Sequence, residues 1–125
     1  MKKFSVVVCS KNESKKIIKC LKGIKYNKPN ELLLIDDSTD DTRQIAKKYC
    51  DKIISGGSKG LSYARQVGLN NAKYNYVVMI DSDHILKKNQ IKKLFSEMKK
   101  FNFDIIQAQI NIIKMNFFIY FNSLF

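Results

Sequence analysis

Short apolar runs alternate along this chain with longer segments in which apolar residues recur at helical spacing. The runs are FSVVVC at 4–9, ELLLI at 31–35, KII at 52–54 and YVVMI at 76–80. Such runs, apolar at consecutive positions and rich in β-branched residues, are typical of parallel strands buried on both faces. The helical patterns cover 13–26, 39–49, 61–72 and 89–101. The alternation predicts an α/β fold in which helices flank a mainly parallel sheet.

Local signals mark the ends of these segments. We expect Asn12 or Ser14 to cap the first helix and one of residues 38–40 to cap the second, because a side-chain oxygen there accepts a free backbone N–H. A glycine-rich loop follows at 55–60, and a fifth strand is predicted over 103–108.

The length and composition allow one compact domain, since 45% of the 125 residues are hydrophobic. We expect a core over 1–109 and an apolar tail over 110–125. From Ile105 to Phe125, 14 of 21 residues are apolar. The apolar surface of this tail has two interpretations. Either a further part of a larger domain covers it, which we favour, or the tail is an interface to a membrane or a second subunit.

The net charge of +12, from 23 basic and 11 acidic residues, favours anionic partners. Nucleic acid, an anionic membrane face and phosphate-bearing small molecules all qualify. Bidentate recognition of guanine favours arginine over lysine, however, and only Arg43 and Arg65 are arginines. No motif of interleaved aromatic and basic residues for single strands accompanies them. A nucleic-acid partner is therefore disfavoured.

The cysteines and the N-terminus indicate a cytoplasmic protein. Cys9, Cys20 and Cys50 lie far apart with no CxxC pair, as expected of reduced thiols. The apolar run after Lys3 is too short for a signal peptide, and no run reaches the ~18–20 apolar residues of a membrane span. The cytoplasmic face of a membrane is the alternative location, because the lysine-rich helical segment 87–100 suits an anionic surface.

Acidic residues are concentrated at two predicted strand ends. Six of the eleven lie in two clusters, four between positions 36 and 41 and two at 81 and 83. Carboxyl ends of parallel strands meet at one edge of the sheet, which is where such sheets bind ligands. Like charges gathered there are unfavourable unless a cation or hydrogen-bond donors compensate. The pattern predicts a ligand site at this edge.

The triplet Asp81-Ser82-Asp83 directly follows the run YVVMI. Two carboxylates at this spacing after a strand can approach one hard divalent cation, Mg²⁺ or Mn²⁺, and leave positions for phosphate oxygens and water. A cation so placed neutralises the charge of a departing diphosphate. The triplet also occurs by chance in turns, so the prediction gains its weight from the second acidic cluster.

Asp36 and Asp37 follow the run ELLLI. A carboxylate there can accept a hydrogen bond from the N–H of a nucleobase or from a ribose hydroxyl. The alternative is a turn before a capped helix, and the two interpretations are compatible because the cap does not need this pair.

The ordered segments VVVCSKNE, LLLIDDSTDDT and GLSYARQVGLNNAKYNYVVMIDSD resemble the N-terminal part of family 2 glycosyltransferases of the GT-A fold. The resemblance spans roughly residues 4–100. It implies a Rossmann-like nucleotide-diphospho-sugar transferase sandwich, truncated before the acceptor-binding half. The implied reaction transfers a sugar from a nucleoside diphosphate to an acceptor hydroxyl, with inversion, and the acceptor is lipid-linked or a polysaccharide.

Position by position, the resemblance implies roles in the first two loops. Ser10, Asn12 and Glu13 correspond to the loop after the first strand, which touches the nucleoside. Asp36 and Asp37 correspond to the acidic pair that contacts base and ribose.

The later motifs imply the rest of the site. Gly60, Ala64 and Arg65 match the G-x-x-x-A-R segment over the nucleotide, and Arg65 reaches base or phosphate or else pairs with a carboxylate. Asp81 and Ser82 correspond to the diphosphate motif, and Asp81 and Asp83 to the metal ligands. His84 follows as in some members, and we expect a polar loop residue there rather than a ligand.

The sequence departs from the family pattern at three positions, with Lys11 in place of a frequent aromatic, Gln66 in place of an Asn, and Ser38 in place of a Gly. These differences leave a UDP-linked and a GDP-linked sugar both open as the donor.

No catalytic base is evident, because the acids after Asp83 are only Glu97 and Asp104. The chain is therefore a fragment, a shortened relative or an enzyme that needs a partner. A non-catalytic nucleotide-sugar binder is the alternative function. A phosphorylatable signalling domain fits less well, since its acidic pair would follow the first strand, which here ends in Ser10-Lys11-Asn12.

Overall fold

The computed structural model describes residues 2–110 and 115–121, with side chains placed over 2–106. Strands and helices alternate over most of the chain. The strands are β1 (Phe4–Ser10), β2 (Glu31–Asp36), β3 (Lys52–Ser55), β4 (Tyr76–Asp81), β5 (Ile105–Ile110) and β6 (Met115–Phe121). The helices are α1 (Ile17–Tyr26), α2 (Thr42–Ala46), α3 (Leu61–Asn71) and α4 (Gln90–Phe101).

One sheet contains these strands in the order β3-β2-β1-β4-β6-β5. The first four strands in this order, β3, β2, β1 and β4, pair in parallel. β6 pairs antiparallel with both β4 and β5, so β5 runs in the same direction as β4. The predicted α/β fold with a mainly parallel sheet is confirmed.

The segment after residue 110 contributes β6, which lies between β4 and β5 and not at an edge of the sheet. Its register pairs Phe117 with Ile80 and Phe121 with Tyr76. Residues 111–114 and 122–125, the rest of the predicted apolar tail, lie outside the described residues.

The central strands are buried on both faces, as their continuous apolar runs predict. Phe4, Val6 and Val8 of β1 pack on one side in a cluster that includes residues of α1 and α4. Val7 packs on the other side with Ala64 of α3. Helices therefore cover both faces and leave the two strand-end edges of the sheet as the places where loops gather.

The first two helices begin later than their sequence patterns suggest. Residues 14–16 form a turn, and α1 begins at Ile17 with no side-chain cap. The expected cap Asn12 instead accepts hydrogen bonds from the backbone N–H groups of Thr39 and Asp40, at 2.8 and 3.2 Å. These bonds hold the loop after β2 in a non-helical conformation, so α2 begins only at Thr42. Asp40, one of the expected caps, accepts the backbone N–H of Thr42 at 3.0 Å.

Over the described part of the chain, no helix combines the length and the apolar composition that a bilayer crossing requires.

Candidate functional site

Three of the strand ends singled out in the sequence lie side by side. The register places Ser10 opposite Asp36 and Cys9 opposite Asp81. Because paired strands lie ~4.8 Å apart, the three ends span about 10 Å. The polar and acidic residues that follow β1, β2 and β4 thus meet at the carboxyl edge of the sheet, as predicted.

Asp36 is fully buried and its carboxylate is saturated by protein groups. One oxygen accepts hydrogen bonds from the hydroxyls of Ser10 and Ser38, both at 2.6 Å. The other lies 3.4 Å from Nε of Arg43 and accepts the backbone N–H of Ser38 at 3.2 Å. Buried carboxylates need such partners, and here the partners join the β1 loop, the β2 loop and α2.

Asp37 points instead toward the glycine-rich loop and stays half-buried. One of its oxygens accepts the backbone N–H of Ser58 at 3.1 Å. The other lies where a Cβ on Gly56 would collide with it. The absence of a side chain at Gly56 therefore lets the loop close on Asp37, whose second oxygen accepts no hydrogen bond from the residues described.

The loops after β1 and β2 are joined by hydrogen bonds. The backbone N–H of Asn12 donates to the hydroxyl of Ser38 at 2.8 Å, in addition to the bonds that its side chain accepts. The backbone N–H of Glu13 donates to the hydroxyl of Thr42 at 2.9 Å. Asn12 and Glu13 thus stabilise the loop after β2, which carries the first acidic cluster.

The α3 segment approaches the same edge. Gly60 precedes the helix with a φ of 94°, a conformation that favours glycine. Ala64 is buried in the core beneath the helix, whereas Arg65 reaches across to β4. An amino group of Arg65 lies 3.2 Å from a carboxylate oxygen of Asp81, so the structure contains the carboxylate pairing that the sequence left as one alternative.

The three residues of the acidic triplet differ in exposure. The side chain of Asp81 is 39% exposed and paired with Arg65, Ser82 is buried, and Asp83 is exposed. Within the described residues no three His, Cys, Asp or Glu side chains form a metal site on their own. Asp81 and Asp83 supply the hard oxygen donors that Mg²⁺ or Mn²⁺ prefers, and such a cation would need further ligands from phosphate and water.

His84 and Cys9 border the site from the interior. Burial lowers the pKa of His84, although the negative charges of Asp81 and Asp83 oppose the shift. The imidazole is fully buried within the loop that follows β4. Burial likewise raises the pKa of the Cys9 thiol to about 12, which keeps it protonated. Cys9, Cys20 and Cys50 form no disulfide.

Several residues of this site carry no signal in the sequence. Gly56 and Ser58 reach Asp37 because a loop about 20 residues further along folds onto the same edge, and Arg43 reaches Asp36 from the first turn of α2. A cavity of about 750 Å³ lies elsewhere, lined by Lys2, Tyr76 and Asp104 among others. These residues lie at the amino ends of β1, β4 and β5, so this cavity is at the edge opposite the acidic loops.

The sequence matches the family described as Glycosyl transferase family 2 over residues 5–125. Among curated relatives, the cholesterol galactosyltransferase of Borreliella burgdorferi is 33% identical over 118 residues, which are 88% of this chain and 33% of the relative.

Solved structures agree in fold. Staphylococcus aureus TarS, crystallised with UDP, superposes with a TM-score of 0.73 at 28% identity over 88% of this chain and 36% of that one. A mannosyltransferase from Pyrobaculum calidifontis, solved with GDP-Man and Mn²⁺, gives a TM-score of 0.77 at 17% identity over 87% of this chain and 35% of that one; at this identity the likeness is one of fold.

The chain spans about a third of the length of each of these proteins. The match covers nearly all of it, and the sheet has the GT-A architecture of these neighbours. The chain belongs to glycosyl transferase family 2.

Proposed function

We propose that this chain binds a nucleoside diphosphate sugar at the carboxyl edge of its sheet, with a divalent cation held by Asp81 and Asp83. In the complete enzyme, the sugar would pass to an acceptor hydroxyl with inversion. The observation that carries the proposal is the row of strand ends in which the β1 loop, Asp36 and Asp37, and the acidic triplet are neighbours.

The contacts of the acidic pair suggest which carboxylate meets the nucleoside. Asp36 already has four partners within the protein, so a ligand would have to displace one of them. Asp37 keeps one oxygen for a ligand, and the loop at Ser58 holds its other oxygen in place. We therefore assign the contact to base or ribose to Asp37, and a bracing role to Asp36 together with Ser10, Asn12 and Glu13.

Arg65 and the acidic triplet would bind the diphosphate end of the donor. A divalent cation, Mg²⁺ or Mn²⁺, supplies electrostatic stabilisation of the leaving diphosphate when it is bound. Arg65 offsets the charge of Asp81 in its absence, which relieves the repulsion between the two acidic clusters. Ser82 is buried between the two carboxylates and would contact the donor through its backbone, as would Gly60 at the start of α3.

The donor is proposed to carry UDP. TarS, 27–28% identical, was crystallised with UDP and with UDP-GlcNAc, whereas the GDP-Man complex shares only the fold. The sugar of this chain's donor does not follow from that likeness.

A second candidate function is binding of the nucleotide sugar without transfer. Glu97 is exposed on α4, and Asp104 lies at the opposite edge beside the cavity, so neither is placed to act as a base at the proposed site. Hydrolysis of UDP-sugar to free sugar, or formation of a glycosylated acceptor, by the purified chain would favour a catalytic function. Tight UDP binding without turnover would favour a binding function.

The metal assignment is tested with Asp83→Asn. The amide keeps the shape of the side chain but removes the charge that attracts a divalent cation. Calorimetric titration of UDP in Mn²⁺ should show an affinity at least about tenfold weaker than that of the unchanged protein, which corresponds to ~1.4 kcal/mol.

Asp104→Asn is the matched control, because Asp104 is an exposed carboxylate at the opposite edge. It should bind UDP as the unchanged protein does. Equal UDP affinities for Asp83→Asn and Asp104→Asn would show that Asp83 does not hold the cation.

A further inference from the structure

The residues between β4 and α4 include Asp83, one of the two proposed metal ligands, and form no regular secondary structure; the other, Asp81, is the last residue of β4. We call residues 82–89 the metal loop. It contains two turns, at 82–83 and 88–89, with an extended stretch between them. Such a segment needs tertiary contacts to hold one conformation, because it has no ladder of backbone hydrogen bonds of its own.

Helix α1 touches this loop and its flanks through one face. Cys20, Gly23 and Asn27 follow one another at spacings of three and four residues, so they lie on the same side of α1 and its end. We call these three residues the α1 stripe. The thiol of Cys20 lies 3.5 Å from the backbone oxygen of Asp81, immediately before the loop begins.

Gly23 lets the middle of the loop lie directly on the helix. A Cβ at this position would come within 2.7 Å of the backbone oxygen of Leu86 and 2.9 Å of its nitrogen. Leu86 itself is buried in the core cluster beneath α1. The backbone of the loop therefore rests against the helix at the one position of the stripe that has no side chain.

Asn27 fixes the far end of the loop. Its amide nitrogen donates to the backbone oxygens of Gly23, at 2.9 Å, and Lys87, at 3.0 Å. Its amide oxygen accepts the backbone N–H of Ile91 at 3.1 Å. The side chain is buried and joins α1, the metal loop and the first turn of α4.

The amide is chemically specific for this position. Two carbonyl oxygens and one N–H face the side chain, and an amide supplies two donors and an acceptor to match them. An aspartate has the same shape but would direct a carboxylate oxygen at two carbonyl oxygens. Such buried, satisfied polar contacts specify one arrangement of the chain.

We propose that the α1 stripe positions the metal loop relative to the end of β4, with Asn27 as the principal positioning residue for Asp83. The Asn27 side chain faces the protein interior, where it bonds to backbone groups of Gly23, Lys87 and Ile91. It acts by holding Lys87 and Ile91, and with them the path of the chain that returns from Asp83. The inference rests on the proposed function for its consequence in ligand binding, while the ordering of the loop can be measured without any ligand.

The first test compares hydrogen exchange in Asn27→Asp and Asn27→Ala with that of Ser5→Ala. Ser5 is also buried, with its hydroxyl bonded to Glu31 at 2.7 Å, but it lies at the amino end of β1. We expect faster exchange in peptides covering 82–91 for both Asn27 variants and none of this local change for Ser5→Ala. If exchange over 82–91 stays unchanged, or rises only as much as in the rest of the chain, the inference is overturned.

The second test measures UDP affinity of the same variants by calorimetry, with Mn²⁺ and with EDTA. The Asn27 variants should lose at least about tenfold in affinity in Mn²⁺ and less than about twofold in EDTA, where the loop contributes little. Ser5→Ala should match the unchanged protein in both.

The outcomes separate the two proposals. If the unchanged protein shows no Mn²⁺-dependent UDP binding, the proposed function fails, and the exchange data still decide whether Asn27 orders the loop. If exchange over 82–91 rises but metal-dependent affinity does not change, Asn27 orders the loop without positioning the metal ligands, and the inference is overturned in that respect.

Discussion

Asp36 and Asp37 are adjacent residues of the same type, yet their side chains lie in different surroundings. Asp36 ends β2 with its side chain buried among Ser10, Ser38 and Arg43. Asp37 lies just outside the strand, where its side chain meets the loop at Ser58. Successive side chains of an extended chain point to opposite sides. The carboxylate of Asp36 therefore stabilises the surrounding loops, whereas that of Asp37 remains an accessible acceptor.

Substitutions of this pair should therefore change the free energy of unfolding by different amounts. Asp36→Asn leaves Arg43 without its carboxylate and places an amide donor among hydroxyl donors, so we expect a loss of about 1–3 kcal/mol in the free energy of unfolding. Asp37→Asn should change that free energy by less than about 0.5 kcal/mol, since the residue is half-exposed. Urea denaturation of both variants measures the difference, and equal losses would contradict the division of tasks.

At the scale of the secondary structure elements, the pattern of apolar residues predicts the four parallel strands to within one residue at each end. The runs that become β1, β2 and β4 are predictable because their burial on both faces is encoded locally in consecutive apolar residues; β3 is short and only half-buried. The start of α1 was not predictable in the same way. Asn12 satisfies the local rule for a cap, but the backbone N–H groups of Thr39 and Asp40 compete for its oxygen.

The last strand shows a different limit. The run at 117–121 is apolar at consecutive positions, a pattern that does not separate a strand from other buried structure. Its place between β4 and β5 depends on pairing with residues about 40 positions away, for which a local pattern carries no information. The site has the same limit, since the convergence of strand ends follows from the fold class but Gly56, Ser58 and Arg43 do not.

The packing of α3 on the sheet gives a prediction at this scale. A Cβ on Gly68 would collide with a methyl group of Val7, so the helix approaches β1 more closely than any larger residue allows. Gly68→Ala should lower the free energy of unfolding by about 1–3 kcal/mol, because overpacking outweighs the gain in helix propensity.

Ser62→Ala is the control on the same helix, because Ser62 is exposed. It should leave the unfolding free energy unchanged or raise it slightly. A Gly68→Ala protein as stable as the unchanged one in urea denaturation would show that α3 can move away from the sheet without cost.

At the scale of the whole molecule, charge is distributed unevenly over the two edges of the sheet. The net charge is +12, yet the carboxyl edge gathers both acidic clusters, while lysines of α4 line the cavity at the opposite edge. A site that is locally acidic in a basic protein is suited to a cation that in turn attracts phosphate. The chain spans about a third of the length of its relatives.

The proposed site would bind a nucleoside diphosphate through a divalent cation. The most direct test is calorimetric titration of UDP, and then of GDP, into the unchanged protein in Mn²⁺ and again in EDTA. We expect saturable binding of UDP that is at least about tenfold tighter in Mn²⁺ than in EDTA, with GDP weaker. Equal binding of UDP in Mn²⁺ and in EDTA, or no binding of either nucleotide, would contradict it.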